Sequence, residues 1–212
     1  MNAHTQRRTV AGPAGAIECA IDSPAHGAPR GLAVLCHPHP QFGGTMDNKV
    51  VQTLTRTFVQ LGYTSARFNF RGVGASAGAW DEGRGEIDDA LAVVAALRAA
   101  GQPLVLGGFS FGGYVASQAA ARLAQAGHGE PAERLVLIAP AVANFIAAPV
   151  PADTLVVHGE VDDVVPLSAV FDWARPQSLP VTVLPGAGHF FHGQLTVLRH
   201  IVCGAWAARP AT

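Results

Sequence analysis

The feature that most constrains this sequence is a short segment in which an apolar run, a glycine-rich turn and an alanine-rich stretch follow one another. The run Leu104–Leu106 predicts a buried strand, and residues 115–126 predict a helix that ends at Gly127. Between them, Gly108-Phe109-Ser110-Phe111-Gly112 matches the pattern G-x-S-x-G. In a strand–turn–helix setting this pattern indicates a nucleophile elbow, a sharp turn that presents a serine hydroxyl above the sheet.

The two glycines of the pattern have a steric explanation. A turn this sharp strains the serine backbone, and neighbouring elements crowd the positions two residues before and after it, where only small residues fit. The helix that follows points its first N–H groups at the space above Ser110, which suits a developing negative charge. A phosphate-binding turn is the alternative interpretation, but neither G-x-G-x-x-G nor G-x-x-x-x-G-K-[ST] can be read across residues 107–115.

The rest of the chain alternates apolar strands with amphipathic helices. The predicted strands are 31–36, 63–70, 134–139, 154–158 and 180–184, with a possible edge strand over 16–21, and the predicted helices are 48–61, 86–100, 167–174 and 194–207. This pattern predicts one α/β domain over residues 1–212, built on a mostly parallel twisted sheet with helices on both faces. Residues 1–15 are expected to be loosely ordered. Residues 140–153 are too few for a cap domain.

Three residues at predicted strand ends suggest an activated serine. In a parallel sheet, ligands bind beyond the carboxyl ends of the strands, and Ser110, Asp162 and His189 all follow strands there. A serine needs a base within hydrogen-bond reach, and the base needs an acid that orients it. Glu160 is an alternative acid and His192 an alternative base. His4, His26, His128 and His200 lie in predicted tails, loops or helices, and we expect them at the surface.

Acyl transfer also needs two backbone donors that face the tetrahedral oxygen. Phe111, the residue after the serine, is expected to supply one N–H. The second is expected from the loop after strand 31–36, where the two prolines have no N–H, and we choose His39. The main chains of His37, Gln41 and Phe42 remain alternatives.

With these segments identified, the chain resembles the α/β-hydrolases over roughly residues 30–200, and more narrowly the small bacterial hydrolases of the dienelactone hydrolase and acyl-peptidase-like branch. The matching stretches are CHPHPQFGGTMDNKVV (36–51), FNFRGVGASAG (68–78), GFSFGGYVA (108–116), HGEVDDVVP (158–166) and GAGHFFHG (186–193). The resemblance implies Ser110 as nucleophile, His189 as base and Asp162 as its partner. The sequence departs from many relatives in having His37-Pro38 in place of His-Gly.

Without a cap domain, we expect an open, shallow cleft edged by Phe42, Trp80, Phe111 and Phe145. Such a cleft favours an esterase-like serine hydrolase (EC 3.1) that cleaves an ester or thioester of a small or accessible acyl group through an acyl-enzyme. An amide or peptide hydrolase and a non-catalytic binding module of the same fold are the alternatives. Arg71 is a candidate to pair with a substrate carboxylate, although a structural role in its glycine-rich loop also fits.

The composition limits the remaining possibilities. The net charge of −1 gives no electrostatic case for nucleic acid or an anionic membrane, so we expect a small-molecule substrate as the partner. His37 and His39 could form a metal pair, but the further ligands are missing from the strands, so we expect neither a metal nor another cofactor. Three widely spaced cysteines, and no apolar run near the ~20 residues of a membrane helix, favour a cytoplasmic location. The sequence does not specify the oligomeric state.

Overall fold

A computed structural model describes residues 5–127 and 129–207, so His4 and His128 lie outside the described residues. In this part of the chain, eight strands form one sheet. They are β1 (Gln6–Gly12), β2 (Gly15–Asp22), β3 (Leu32–Cys36), β4 (Thr64–Phe68), β5 (Leu104–Phe109), β6 (Arg134–Ile138), β7 (Leu155–Gly159) and β8 (Val181–Leu184). Their order across the sheet is β1-β2-β4-β3-β5-β6-β7-β8.

Six of the strands, from β4 to β8 across the sheet, run parallel to their neighbours. The first two strands form an antiparallel hairpin, and β2 pairs antiparallel with β4. The sheet is therefore mostly parallel, as the sequence predicts. The expectation that residues 1–15 are loosely ordered is wrong for residues 6–12, because Gln6 to Gly12 pair with β2 along their whole length and form the edge of the sheet.

Within the described residues, five α-helices cover the two faces of the sheet. They are α1 (Lys49–Gln60), α2 (Arg84–Leu97), α3 (Phe111–Leu123), α4 (Leu167–Ala174) and α5 (Leu195–Ala207). Apolar residues of α2, α3 and α4 pack with Val34, Leu106 and Leu137, whereas those of α1 and α5 pack against the opposite face with alternate strand residues. Because alternate strand side chains point to opposite faces, the central strands are buried on both sides.

Helix α3 begins earlier than the sequence predicts. The alanine-rich pattern places its start at Val115, but the structure begins the helix at Phe111, directly after Ser110. Gly112 and Gly113 occupy the first turn, and their low intrinsic helix propensity conceals the true start. Consequently the N-terminus of α3 lies immediately beside the serine.

No lid element covers the carboxyl ends of the strands in the described chain. Residues 140–153, which connect β6 to β7, contain neither a helix nor a strand. Among the residues that the structure describes, no helix is both long and apolar enough to cross a lipid bilayer.

Candidate active site

Ser110 occupies a strained turn between β5 and α3. Its backbone has φ 56° and ψ −119°, a conformation that residues with a side chain rarely adopt. Three backbone hydrogen bonds hold this conformation. The N–H of Ser110 donates to Ile138 O at 2.9 Å, and its carbonyl oxygen accepts from Gly113 N–H at 2.9 Å and from Ala141 N–H at 3.1 Å. Strain held in this way is typical of functional turns.

The glycines around the serine are required by close backbone contacts. A Cβ on Gly108 would collide with the backbone of Gly112 and Gly113, the latter at 2.7 Å. A Cβ on Gly112 would collide with the backbone of Cys36 and with His37 O, the latter at 2.6 Å. The crowding that the sequence predicts at these positions is therefore present.

The side chains of Ser110, His189 and Asp162 form one hydrogen-bonded chain. His189 Nε2 lies 3.0 Å from Ser110 Oγ, and His189 Nδ1 lies 2.7 Å from Asp162 Oδ2. All three residues are buried. The histidine meets the serine in space although it comes 79 positions after it in the sequence. Three separate strand ends, those of β5, β7 and β8, bring the groups together.

Asp162 is held in place by the turn that follows β7. Its Oδ1 accepts the N–H groups of Val164 at 2.9 Å and Val165 at 2.7 Å, which leaves Oδ2 for the histidine. Burial raises the pKa of Asp162, but the hydrogen bonds from His189 and from the two backbone N–H groups together lower it by more. The net pKa of Asp162 therefore lies below the ordinary value. The carboxyl is therefore ionised at neutral pH.

The alternative acid and base have other positions. Glu160 accepts the N–H of Gly186 at 2.8 Å. His192 is exposed and its ring lies against Phe190. His26 and His200 are exposed, as expected.

Sequence reasoning did not single out His158, which the structure places beside the carboxylate. His158, the last residue but one of β7, is fully buried, with Nε2 at 2.9 Å from Val165 O and 3.5 Å from Asp162 Oδ2. Burial lowers its pKa, so the ring is neutral at pH 7 and its Nε2–H donates to the carbonyl. The spacing His-x-x-x-Asp at the end of a buried strand was the available signal.

The loop after β3 faces the elbow and contains a short 3₁₀ turn, Pro40–Phe42. Inside this loop, Gln41 N–H bonds to His39 Nδ1, while the N–H groups of Phe42 and Gly44 bond to His39 O. Across residues 5–127 and 129–207, no hydrogen bond is made by the N–H of His39 or of Phe111. Both residues line the cleft together with Ser110.

The cleft above the serine has a volume of about 490 Å³. Its apolar wall residues are Pro38, Phe42, Phe111, Ala141, Phe145, Val164, Val165 and Phe190. Phe42 is 86% exposed at the rim. Three of the four predicted cleft residues thus line the cleft. Trp80 is not among the lining residues, but its ring centroid lies 4.5 Å from that of His39 and 5.1 Å from that of Phe111.

Arg71 is not among the residues that line the cleft, and its contacts favour the structural role in the glycine-rich loop over pairing with a substrate carboxylate. Its Nε and Nη2 bond to the two carboxylate oxygens of Asp89 at 3.0 and 2.8 Å, and its own N–H also bonds to that carboxylate at 2.9 Å. The Asp89 side chain is almost fully buried. The guanidinium therefore anchors the glycine-rich loop to α2, because its two-pronged geometry is already used by a carboxylate of the protein.

His37 and His39 do not form a metal pair. His37 Nε2 accepts the N–H of Phe70 at 3.0 Å, and its Nδ1 lies 2.6 Å from Pro38 O, so both nitrogens have partners. Burial lowers the pKa of His37 to about 4, which keeps the ring neutral. In the part of the chain that the structure describes, no group of three His, Cys, Asp or Glu residues could hold a metal ion.

Comparisons with known proteins place this geometry in a family. The profile of the serine aminopeptidase S33 family matches residues 27–148. The structure of XC6422 from Xanthomonas campestris, described as an α/β serine hydrolase without a lid, is 38% identical, with a TM-score of 0.87 over 100% of this chain and 98% of that one. An α/β serine hydrolase homologue from Coxiella burnetii is 36% identical, with a TM-score of 0.80 over 94% and 96% of the two chains. An uncharacterised protein, RP471 of Rickettsia prowazekii, is 35% identical over 76% of this chain and 71% of its own.

Proposed function

The chain belongs to the serine aminopeptidase S33 family of α/β serine hydrolases, and we propose that it hydrolyses carboxylic esters or thioesters through an acyl-enzyme on Ser110. The observation that carries this proposal is the continuous hydrogen-bonded chain from Ser110 Oγ through the imidazole of His189 to Asp162. A buried serine, histidine and carboxylate in this geometry supply a nucleophile, a base and an orienting acid.

The proposed reaction has two halves. Ser110 Oγ attacks the carbonyl carbon while its proton passes to His189 Nε2. The tetrahedral intermediate then collapses, the bond to the alcohol oxygen or thiol sulfur breaks, and His189 returns the proton to that leaving atom. Water next attacks the acyl-serine, His189 takes its proton and gives it to Ser110 Oγ, and the carboxylic acid leaves. Asp162 stays ionised throughout and stabilises the imidazolium.

The tetrahedral oxygen is expected to bind the N–H groups of Phe111 and His39. Phe111 is the first residue of α3, where helix N–H groups have no acceptor within the helix. The N–H of His39 belongs to a loop that prolines and the 3₁₀ turn stiffen. Donors fixed in advance stabilise the developing charge without reorganisation, and one such donor is worth about 10²–10³ in kcat.

The character of the cleft favours an uncharged acyl group. Among the described residues that line it, none is Asp, Glu, Lys or Arg. Burial also lowers the pKa of His39, so its ring adds no positive charge at pH 7. The aromatic rings of Phe42, Phe111 and Phe145 offer apolar contacts to an acyl chain, and the open mouth suits small or accessible groups.

The family name makes cleavage of an amide the second candidate. An aminopeptidase binds a positively charged amino group, which a carboxylate near the serine would stabilise. The described lining residues include no such carboxylate, since Asp162 is buried and bonded to His189. An ester or thioester is therefore the better fit.

Turnover of matched acyl substrates tests the proposal. We expect wild-type protein to hydrolyse 4-nitrophenyl butyrate and a butyryl thioester, to be slow on alanine 4-nitroanilide, and to show butyrylated Ser110 by mass spectrometry after an acid quench. Ser110→Ala is expected to abolish all of these signals. Turnover of the anilide with no turnover of either ester would support the amide candidate, and folded protein inactive on all three would support a binding module.

A further inference from the structure

A second cavity of about 300 Å³, called here the side cavity, adjoins the catalytic cleft. Three residues, Gly43, Asn48 and Phe190, line both spaces, so the side cavity and the cleft are immediate neighbours. The side cavity differs in chemistry, because Thr45, Asp47, Lys49 and His192 contribute polar or charged side chains to its wall. The cleft is therefore lined by apolar and uncharged residues, whereas the neighbouring side cavity carries polar and charged side chains.

The position of His189 indicates whether the cleft or the side cavity receives the leaving group of a substrate. The leaving atom must accept the proton that His189 Nε2 carries, so the leaving group lies on the side of the histidine loop. Phe190, which directly follows the histidine and also lines the cleft, and His192, in the same loop, form part of the wall of the side cavity. The acyl group is then left with the apolar cleft beside Phe111 and Phe145.

Lys49, in the wall of the side cavity, has no evident role in stabilising the fold. It is the only lysine in the sequence, it is exposed, and it occupies the first position of α1 after the N-cap Asn48. The positive end of the helix dipole disfavours a cation in the first turn. Within the described residues Lys49 has no carboxylate partner, whereas Asp47 in the same wall pairs with Arg7 at 3.4 Å and lies 3.8 Å from Arg67. A local cost of this kind without local compensation is typical of a functional position.

We propose that the side cavity binds the leaving group of the substrate and that Lys49 selects alcohols or thiols carrying an anionic group. The inference rests on the proposed function, since it assigns the leaving-group side of the same site. The substrate class is then an ester or thioester that joins an apolar acid to an anionic alcohol or thiol. Lys49 provides a point charge for that group, because its ammonium is flexible and presents three donors.

A pair of esters that differ by one charge tests this assignment. The 4-(carboxymethyl)phenyl and 4-(carbamoylmethyl)phenyl butyrates have the same acyl group and nearly the same leaving-group basicity, since a methylene separates the charge from the ring. We expect wild type to favour the anionic ester in kcat/KM, and Lys49→Met to reduce the ratio of anionic to neutral kcat/KM by about two- to fivefold. Lys49→Glu should reduce the ratio further, and Lys49→Arg should retain most of it.

Arg84→Met is the matched control, because it also removes one exposed positive charge, at the start of α2. It should leave the ratio as in wild type, and added salt of about 0.5 M should lower the wild-type ratio through screening. An unchanged ratio in both Lys49→Met and Lys49→Glu, with both esters hydrolysed, overturns this inference alone. Failure of folded wild type to hydrolyse either ester overturns the proposed function together with it.

Discussion

Nδ1 of His189 lies 2.7 Å from Oδ2 of Asp162, and this contact fixes which nitrogen of the imidazole carries the proton. An ionised carboxylate can only accept, so Nδ1 is the protonated nitrogen and Nε2 presents its lone pair to Ser110 Oγ at 3.0 Å. Oδ1 of Asp162 accepts hydrogen bonds from the N–H groups of Val164 and Val165, and these bonds hold the carboxylate in the orientation that directs Oδ2 at His189.

Replacing this carboxylate by an amide should remove most of the activity while preserving the fold. In Asp162→Asn the amide can donate to Nδ1 and so stabilise the wrong tautomer, and we expect kcat to fall by about 10³- to 10⁴-fold. Asp163→Asn is the control, because that neighbouring carboxylate is exposed. Ester hydrolysis followed at saturating substrate measures the difference. Equal losses in the two variants would contradict the role of Asp162.

Removing the guanidinium of Arg71 should affect stability rather than substrate choice. Arg71→Met leaves the buried carboxylate of Asp89 without its partner, which is expected to cost about 3–5 kcal/mol of the free energy of unfolding. Urea unfolding measures this loss. The ratio of KM values for carboxylate-bearing and neutral acyl esters should stay as in wild type, and a selective rise in KM for the carboxylate would restore Arg71 as a substrate ligand.

The neutral, buried His37 should make the protein sensitive to acid. Its pKa is lowered from 6.5 to about 4 by burial, so the unfolded chain binds a proton that the folded chain does not between these values. Stability from this group is full above pH 6.5 and is lost as the pH falls toward 4, by about 3 kcal/mol in total. His37→Gln should flatten this pH dependence of the free energy of unfolding, whereas the exposed His26→Gln should not. A wild-type stability that does not fall over this range would contradict the account.

The exposed rim residue Phe42 should contribute to substrate binding and little to folding. Its side chain is 86% exposed, so Phe42→Ala is expected to change the free energy of unfolding by less than about 0.5 kcal/mol. Loss of apolar contact with an acyl chain should raise KM for butyryl esters by about three- to tenfold. Phe171→Ala, a change at an exposed phenylalanine on α4, outside the lining of the cleft, is the control. Equal KM values for the two variants would remove Phe42 from the binding surface.

The sequence predicts the architecture well where local patterns carry the information. The alternation of apolar strands and amphipathic helices gives the mostly parallel sheet, and the bounds of α4, Leu167–Ala174, agree with the prediction. The G-x-S-x-G pattern locates the strained turn because no side chain fits at Gly108 or Gly112, where a Cβ would collide with backbone atoms. The positions of Ser110, Asp162 and His189 after predicted strands suggest a triad, and the structure brings the three side chains into contact.

The features that sequence reasoning missed depend on contacts between distant segments. Strand β1 is stabilised by pairing with β2, and the mostly polar sequence of Gln6–Gly12 gives no pattern that predicts this strand. Arg71 is neutralised by Asp89, on a helix that follows its loop, and no local pattern reveals that pairing. The side cavity at Lys49 exists because the start of α1 and the loop after β8 meet in space. Such relationships follow from tertiary packing alone.

The most direct test of Ser110 as an activated nucleophile is the intact mass of the protein after incubation with a fluorophosphonate. We expect a single adduct on wild type and on Ser117→Ala, which changes the buried serine inside helix α3. We expect no adduct on Ser110→Ala and much slower labelling of His189→Ala and Asp162→Asn. Folded wild-type protein that stays unlabelled, or Ser110→Ala labelled as fast as wild type, would contradict the assignment of Ser110 as an activated nucleophile.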